Sequence, residues 1–312
     1  LCLAVELAAA RIRMLTPEEI FARLDDRFRL LSQGPGDARP GKATLRGAID
    51  WSWDLLTGPQ RSAWAQLSVF HGGFSLEAAE VVVDLTEFND APWLMDVVRS
   101  LVDHSLIQTS NGPQGRTRYK MLVSLQAYAA QKLGDGDKAA ALRHAHYFAK
   151  RGDPEFRASL IVRGGAKRIQ ALRPEMDNLL AAVDTALAAR DSSLAARCAL
   201  ALATLYGRHG PVEHGVALLS QVDTPQVGDD LRAQLLTQRG MMRDLAGSHE
   251  EATADFSEAL ALHRTACCVA GEVRVLWRLG LVLERRGDAG RSMQYIERAL
   301  ALQRTLDEPV WE

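Results

Sequence analysis

TLRGAIDWSWDLLTGPQRSAWAQLSVFHGGFS, residues Thr44–Ser75, reads as two short helices and a closing turn. Leu45, Ile49, Trp53 and Leu56 recur at three- and four-residue steps, which places them on one helical face. Thr57-Gly58-Pro59 breaks that helix and opens the next, because proline fits a first helical position where no amide donor is needed. Trp64, Leu67 and Phe70 line one side of the second helix, and Gly72-Gly73 ends it. Ser75 then caps a third helix carrying Leu76, Ala79 and Val82.

Working outward, Val98, Leu101 and Val102 give the stretch Ala91–Ile107 helical spacing. SLIQTS, NGPQG and RTRYKML follow as strand, turn and strand, predicting a β-hairpin over about Ile107–Met121. Leu122–Leu133 returns to helix. Three helices followed by a hairpin make a winged helix.

IDWSWDLL, LSVFHGGFSLEAAE, LVDHSLI and RYKMLVSLQAYA together resemble the winged-helix segment of bacterial STAND (NB-ARC) regulatory ATPases, of the AfsR/LuxR-like kind. The resemblance covers nearly the whole chain. It implies an upstream nucleotide-binding module holding ATP or ADP, a winged helix that clamps that module, and tetratricopeptide-like repeats behind it. In that frame residues 1–33 close a helical subdomain of the nucleotide module, and residues 34–43 (Gly/Pro-rich) link it onward. Residues 44–135 are then the winged helix, 136–190 connecting helices, and 191–312 the repeats. Leu1-Cys2-Leu3-Ala4 matches the frame of the family's Gly-Leu-Pro-Leu-Ala adenine motif, with Cys2 where proline stands. Many relatives place Met-His-Asp after the wing, where the histidine meets a phosphate. The matching frame here is Met121-Leu122-Val123, which offers phosphate nothing, so its apolar pair is expected in the winged-helix core. The chain opens on Leu1 in mid-helix pattern and reads as a fragment or an excised piece.

The last third carries an internal repeat in which Gly240, Gly247, Phe256 and Ala259-Leu260-Ala261-Leu262 recur as Gly280, Gly287, Ile296 and Ala299-Leu300-Ala301-Leu302, 40 positions on. Small residues (Gly240, Gly280) let neighbouring helices approach, and Gly247 and Gly287 turn the chain between helices. The period exceeds the usual ~34 residues, which is read as a longer link between repeats. LYGRHGPVEHGVALLSQVD is a degenerate upstream copy, with Gly210 at the turn and Gly215 at the close-packing position. Arg239 and Arg243 stand where the later copy has Leu279 and Leu283, so that helix is expected to pack loosely or to snorkel its arginines. Upstream of the repeats, Lys138–Arg151 and Gly165–Ala189 each read as one helix. The fold class is therefore mostly α: helical subdomain, winged helix with one hairpin, and a tetratricopeptide-like solenoid.

Composition agrees. Hydrophobic residues make up 47% and aromatics 6% of 312 residues, a mix rich in Ala and Leu that suits stacked helices. A net charge of −2 gives no global basic field for nucleic acid. Four cysteines without CxxC spacing fit a reduced cytoplasm, and no apolar run approaches the roughly 20 residues of a membrane span. His144 and His146, two apart on a helix, point in different directions and are read as surface residues without a metal.

No GxxxxGK[ST], GxSxG or HExxH occurs, so the chain reads as non-catalytic and without a cofactor of its own. Two functions remain. One is a regulatory fragment, with a winged helix relaying the state of an upstream ATPase to repeats that bind a protein, peptide or small inducer. The other is a DNA-binding activator. The helix before the wing offers only Arg99 and His104 beside Asp96 and Asp103, while the wing carries Arg116, Arg118 and Lys120, so DNA is the weaker reading. The repeat register aims Gln234, Thr237, Met241 and Asp244, then Arg274, Trp277, Leu281 and Glu284, at a concave partner-binding face. Trp277 is either an exposed anchor there or buried against a neighbouring repeat.

Overall fold

The computed structural model describes residues 45–134, 138–222 and 226–306. The subdomain end and linker read over residues 1–43, with the Leu1–Ala4 frame, lie outside them. Contacts group the described residues into two units. One is built from residues up to Ser68, Val83–Ser110 and residues from Thr117 to Gly134; the other takes Val69–Val82, Asn111–Arg116 and everything from Lys138 on.

In the first unit α1 (Leu45–Asp54), α2 (Gly58–Leu67), α4 (Leu94–Asp103) and α5 (Val123–Leu133) surround a core that includes Trp64, Leu67, Leu101 and Tyr128. Trp53, Trp64 and Tyr128 form an aromatic cluster with centroids 5.6–6.0 Å apart. The Tyr128 hydroxyl donates to Asp50 Oδ1 at 2.6 Å. Burial, then that carboxylate, push its phenol above the ordinary tyrosine range. At the start of α2, Gln60 Oε1 accepts from the Thr57 amide at 2.9 Å, the reciprocal half of a capping box. The predicted hairpin is present as β1 (Gln108–Asn111) and β2 (Thr117–Lys120), a two-stranded sheet.

Leu122 and Val123 contradict the expectation of burial: they are 43% and 64% exposed. Helix α5 buries Tyr128 and Ala129, two turns further on, so its first turn lies beyond the core's edge.

In the second unit α3 (Leu76–Val82) packs on α6 (Lys138–Ala149), and Ser75 caps α3 as read, its hydroxyl accepting from Ala78 N at 3.2 Å. Gly72 and Gly73 turn with φ of +75° and +104°. That turn is held by fully buried Asn178, whose Oδ1 accepts from His71 N at 2.7 Å while its Nδ2 donates to Gly73 O at 2.8 Å. His144 is not a surface residue: it is 1% exposed, packs on Phe70 and Phe148, and lies 3.3 Å from Asn178 Oδ1. Burial lowers its pKa to about 4.

The single helix read over Gly165–Ala189 is two, α8 (Gly165–Leu172) and α9 (Met176–Ala188), joined by a 3-10 turn at Arg173–Glu175. Pro174 is the cause, since it has no amide to donate to the preceding turn. A short α7 (Pro154–Ser159) precedes them.

The repeats are α10 (Ser192–His209), α11 (Val212–Val222), α12 (Asp229–Leu245), α13 (His249–Thr265), α14 (Val269–Arg285) and α15 (Ala289–Gln303). A longer link does not explain the period. The links 246–248, 266–268 and 286–288 are equal and short, and the helices α12, α13 and α14 have 17 residues each. Every link has the same geometry: a left-handed residue (Gly247, Cys267, Gly287), then an amide reaching back to the helix end. Those amides are Ser248 to Arg243 O, Cys268 to His263 O and Asp288 to Leu283 O, at 2.8–2.9 Å. Gly240 and Gly280 do what the sequence implies. A Cβ on Gly240 would lie 2.8 Å from Phe256, and one on Gly280 2.5 Å from Ile296.

Arg239 and Arg243 do not pack loosely. Both grip Asp255 of α13, Arg239 through Nη2 and Arg243 through Nη1, each at 2.7 Å, and Asp255 is 3% exposed. The next repeat has Leu279, Leu283 and Tyr295 at the corresponding positions.

Candidate binding groove in the repeat unit

Helix α12 supplies most of one wall. From it Gln234, Thr237, Gln238 and Met241 face Arg157 of α7, and His263 and Arg274 close a small cavity of about 40 Å³ there. On one side this opens into a cavity of about 430 Å³ toward Glu155, Asp230, Cys268 and Gly271. A third, of about 300 Å³, shares Arg157, Gln238 and Met241 and runs toward Thr204, Gly207 and Arg208 of α10 and Arg278 of α14. Arg157 lines all three, so they form one furrow along α12. Between Asp230 and Leu245 that helix rises roughly 22 Å.

The furrow is held by short polar contacts. Arg157 Nη1 donates to Gln234 Oε1 at 3.0 Å, and Gln234 Nε2 donates to Asp230 Oδ2 at 3.1 Å. Thr237 is less available, because its hydroxyl donates to Ala233 O at 2.7 Å. His263 is 6% exposed, and its Nδ1 has no hydrogen-bond partner among the described residues. Its ring lies so close to Gly271 that a Cβ there would come within 2.4 Å of Nδ1. Burial holds this imidazole below the usual histidine range.

Four of the eight residues aimed at a concave face by register, Gln234, Thr237, Met241 and Arg274, therefore meet in one place. The others lie elsewhere. Asp244 sits at the end of α12, paired with Arg285 and with His249 Nδ1 at 3.1 Å. Trp277 is half-buried and packs on the Leu236–Phe256–Leu276 core, Leu281 is half-buried, and Glu284 is exposed. Arg157, Gln238, His263 and Arg278 were not singled out from the sequence. Arg157 belongs to a helix outside the repeat period, so no periodicity could point to it, whereas Gln238 and Arg278 are matching positions of the two copies.

Among the described residues no group of three His, Cys, Asp or Glu could hold a metal ion, and no helix is long and apolar enough to cross a membrane. In the first unit, the outward residues of α4 and its approach are Trp93, Met95, Asp96, Arg99, Asp103 and His104. Arg116 and Lys120 are exposed on the wing.

Residues 58–134 match the family described as a winged helix-turn-helix domain. A protein of Mycobacterium bovis with the provisional name of HTH-type transcriptional regulator is 32% identical over 98% of this chain. A Mycobacterium tuberculosis protein of the same name is similar to the same degree. The chain spans 35% of the length of these relatives. An uncharacterized M. tuberculosis protein is 39% identical over 45% of the chain and 35% of its own length. Among solved structures, a STAND protein with a tetratricopeptide repeat sensor from Pyrococcus horikoshii is similar at 15% identity. It covers 97% of this chain and 53% of its own, with a TM-score of 0.35.

Proposed function

We propose that this winged-helix and repeat chain, similar to HTH-type transcriptional regulators, is the non-catalytic regulatory part of a STAND (NB-ARC)-type regulator. Its repeats take a partner or small inducer in the furrow along α12, and its winged helix relays the state of an upstream nucleotide-binding module to those repeats. The observation that carries the reading is the convergence of Gln234, Met241 and Arg274 with Arg157 and the buried His263 in one furrow. A helical stack that served only as a spacer would have no reason to collect them. Function in the cytoplasm, with ATP or ADP held outside this chain, belongs to the same proposal.

DNA binding by the winged helix is the second reading. The match over residues 58–134 and the basic wing residues Arg116 and Lys120 favour it. The face of α4 opposes it, since Asp96 and Asp103 flank Arg99 there and would meet phosphate with like charge. Selection from a randomised duplex pool at physiological salt separates the readings. The regulatory reading expects no enriched sequence and only weak, salt-sensitive binding, with dissociation constants of roughly 1–100 µM. An enriched site bound at about 10 nM or tighter, lost on Arg99→Ala, would overturn it.

A further inference from the structure

Between Glu155 and Glu175 the chain carries five basic residues, Arg157, Arg163, Lys167, Arg168 and Arg173, and no acidic one. The middle of this segment is the loop into α8 and that helix's first turn, where Arg163, Lys167 and Arg168 are all exposed. Arg168 folds back over the loop, its Nη1 donating to Ser159 O at 3.2 Å and to Arg163 O at 3.3 Å. The turn of the hairpin brings a fourth cation to the same surface. Gln114 Nε2 donates to Lys167 O at 3.2 Å, which seats Pro113–Gly115 on α8 with exposed Arg116 at its end. No ion pair neutralises Arg116, Arg163, Lys167 or Arg168 among the described residues.

Stability does not explain this placement. A helix start carries partial positive charge and favours acids, yet the first turn of α8 holds Lys167 and Arg168 and no acid. Nor does the surface suit a bilayer. Helix α8 turns Ile169 and Leu172 inward, 7% and 3% exposed, while Lys167, Arg168 and Gln170 look outward. Exposed Ile161 and Val162 beside it fall short of the apolar face that lying in a membrane surface requires.

We infer that this surface docks the sugar-phosphate backbone of duplex DNA, contacting phosphates through Arg116, Arg163, Lys167 and Arg168 and reading no bases. The inference goes beyond the regulatory reading and does not rest on it. Phosphates are dense enough to meet these cations in any register: α8 rises roughly 12 Å, and a duplex presents one charge per ~1.7 Å of its axis. Seated on α8, the hairpin turn is not free to enter a groove, which leaves Arg116 the backbone to contact. In a chain of net charge −2 the attraction is local, so binding is weak and steep in salt.

Fluorescence anisotropy of the whole chain with a labelled duplex of about 24 base pairs, at about 50 to 200 mM salt, tests this. Four phosphate contacts predict a slope of log affinity on log salt of roughly −3.6, a loss of about 150-fold across that range. The triple variant Arg116→Gln, Arg163→Gln, Lys167→Gln should flatten the slope to roughly −1 and weaken binding at about 50 mM salt by about tenfold or more. These three side chains hold no hydrogen bond among the described residues, so the melting temperature should be kept. A control of equal charge, Arg190→Gln, Arg291→Gln, Arg304→Gln, should keep the slope of the original chain.

An unflattened slope in the first variant, or an equal change in the control, would overturn the assignment to this surface. A duplex that fails to bind at about 50 mM salt would overturn the inference outright. So would vesicles of equimolar phosphatidylglycerol and phosphatidylcholine that bind more tightly than the duplex at matched phosphate, since the surface would then be a lipid one. The base-selection experiment tests the regulatory reading alone, so the two proposals fail separately.

Discussion

Asp255 shows how one residue changes the chemistry of a repeat while the backbone stays the same. Its carboxylate holds Arg239 and Arg243 between α12 and α13, whereas 40 positions later Tyr295 packs on the apolar cluster that includes Leu279, and Leu283 stands at the position matching Arg243. One copy fills the space with ions and the other with hydrocarbon. Removing the shared partner is the damaging change, because two guanidiniums lose their counter-charge in a partly dry interface. Asp255→Ala should cost about 3 kcal/mol. Transplanting the neighbour's solution, Arg239→Leu with Arg243→Leu and Asp255→Tyr, should return stability to within about 1 kcal/mol of the original, because apolar packing replaces buried ion pairs at little cost. Urea midpoints of the two variants check this; a triple variant as unstable as Asp255→Ala would show that the copies are not interchangeable here. Gly280 permits no such exchange. Its missing Cβ would lie 2.5 Å from Ile296 Cγ1, so Gly280→Ala should lose about 1–3 kcal/mol despite better helix propensity. An unchanged denaturation midpoint would refute the contact.

Among the elements, the links show what could and could not be seen in sequence. Gly247 and Gly287 announced their turns because glycine is the residue that adopts positive φ without strain. The turn between them has the same backbone at Cys267, φ +53°, and went unnoticed because a cysteine carries no such signal. With that turn hidden, the 40-residue period looked like a long link, although it is two 17-residue helices and two three-residue turns. Asp255 was hidden for a related reason: periodicity reports which positions are apolar, and a buried acid breaks the pattern it belongs to. The furrow was half legible, since register placed Gln234, Met241 and Arg274 but no repeat could place Arg157. Cys267→Gly should relieve the strained position and stabilise the chain by about 0.5–1 kcal/mol, read as a raised melting temperature. A lowered one would mean that the Cys267 side chain contributes more than its backbone costs.

The contact of α6 with α9 makes stability depend on pH. His144 is held neutral against Phe70 and Phe148, with a folded pKa of about 4 against 6.5 in the unfolded chain. The unfolded state therefore binds the proton first. This contribution is complete above the unfolded value and is lost as pH falls toward the folded one. Between pH 7 and pH 5 it amounts to about 2 kcal/mol. Urea titrations at the two pH values, with His144→Gln as the comparison, should show a drop of that order in the original chain and a smaller one in the variant. Equal drops would assign the dependence to carboxylates instead.

For the whole molecule, the question is whether any nucleotide chemistry resides in this chain. Cradling a triphosphate requires backbone amides converging at a helix start, a lysine, and a hydroxyl for magnesium, and the sequence has no such loop. The remaining route is a phosphate sensor behind the wing. An imidazole would serve there, because it donates a hydrogen bond and can carry positive charge near neutral pH. The structure places Leu122 and Val123 at that helix start, exposed rather than buried. Their exposure leaves them accessible, but their chemistry is hydrocarbon, which can only lose by meeting a phosphate. A surface of this kind suits packing against another protein segment, so any switch that acts here would act through apolar contact. The chain should therefore give no heat when titrated with ADP and magnesium, and Val123→His alone should not create binding, since one donor cannot replace a phosphate loop. Dissociation in the micromolar range from the unaltered chain would mean that a nucleotide site exists among residues read here as structural.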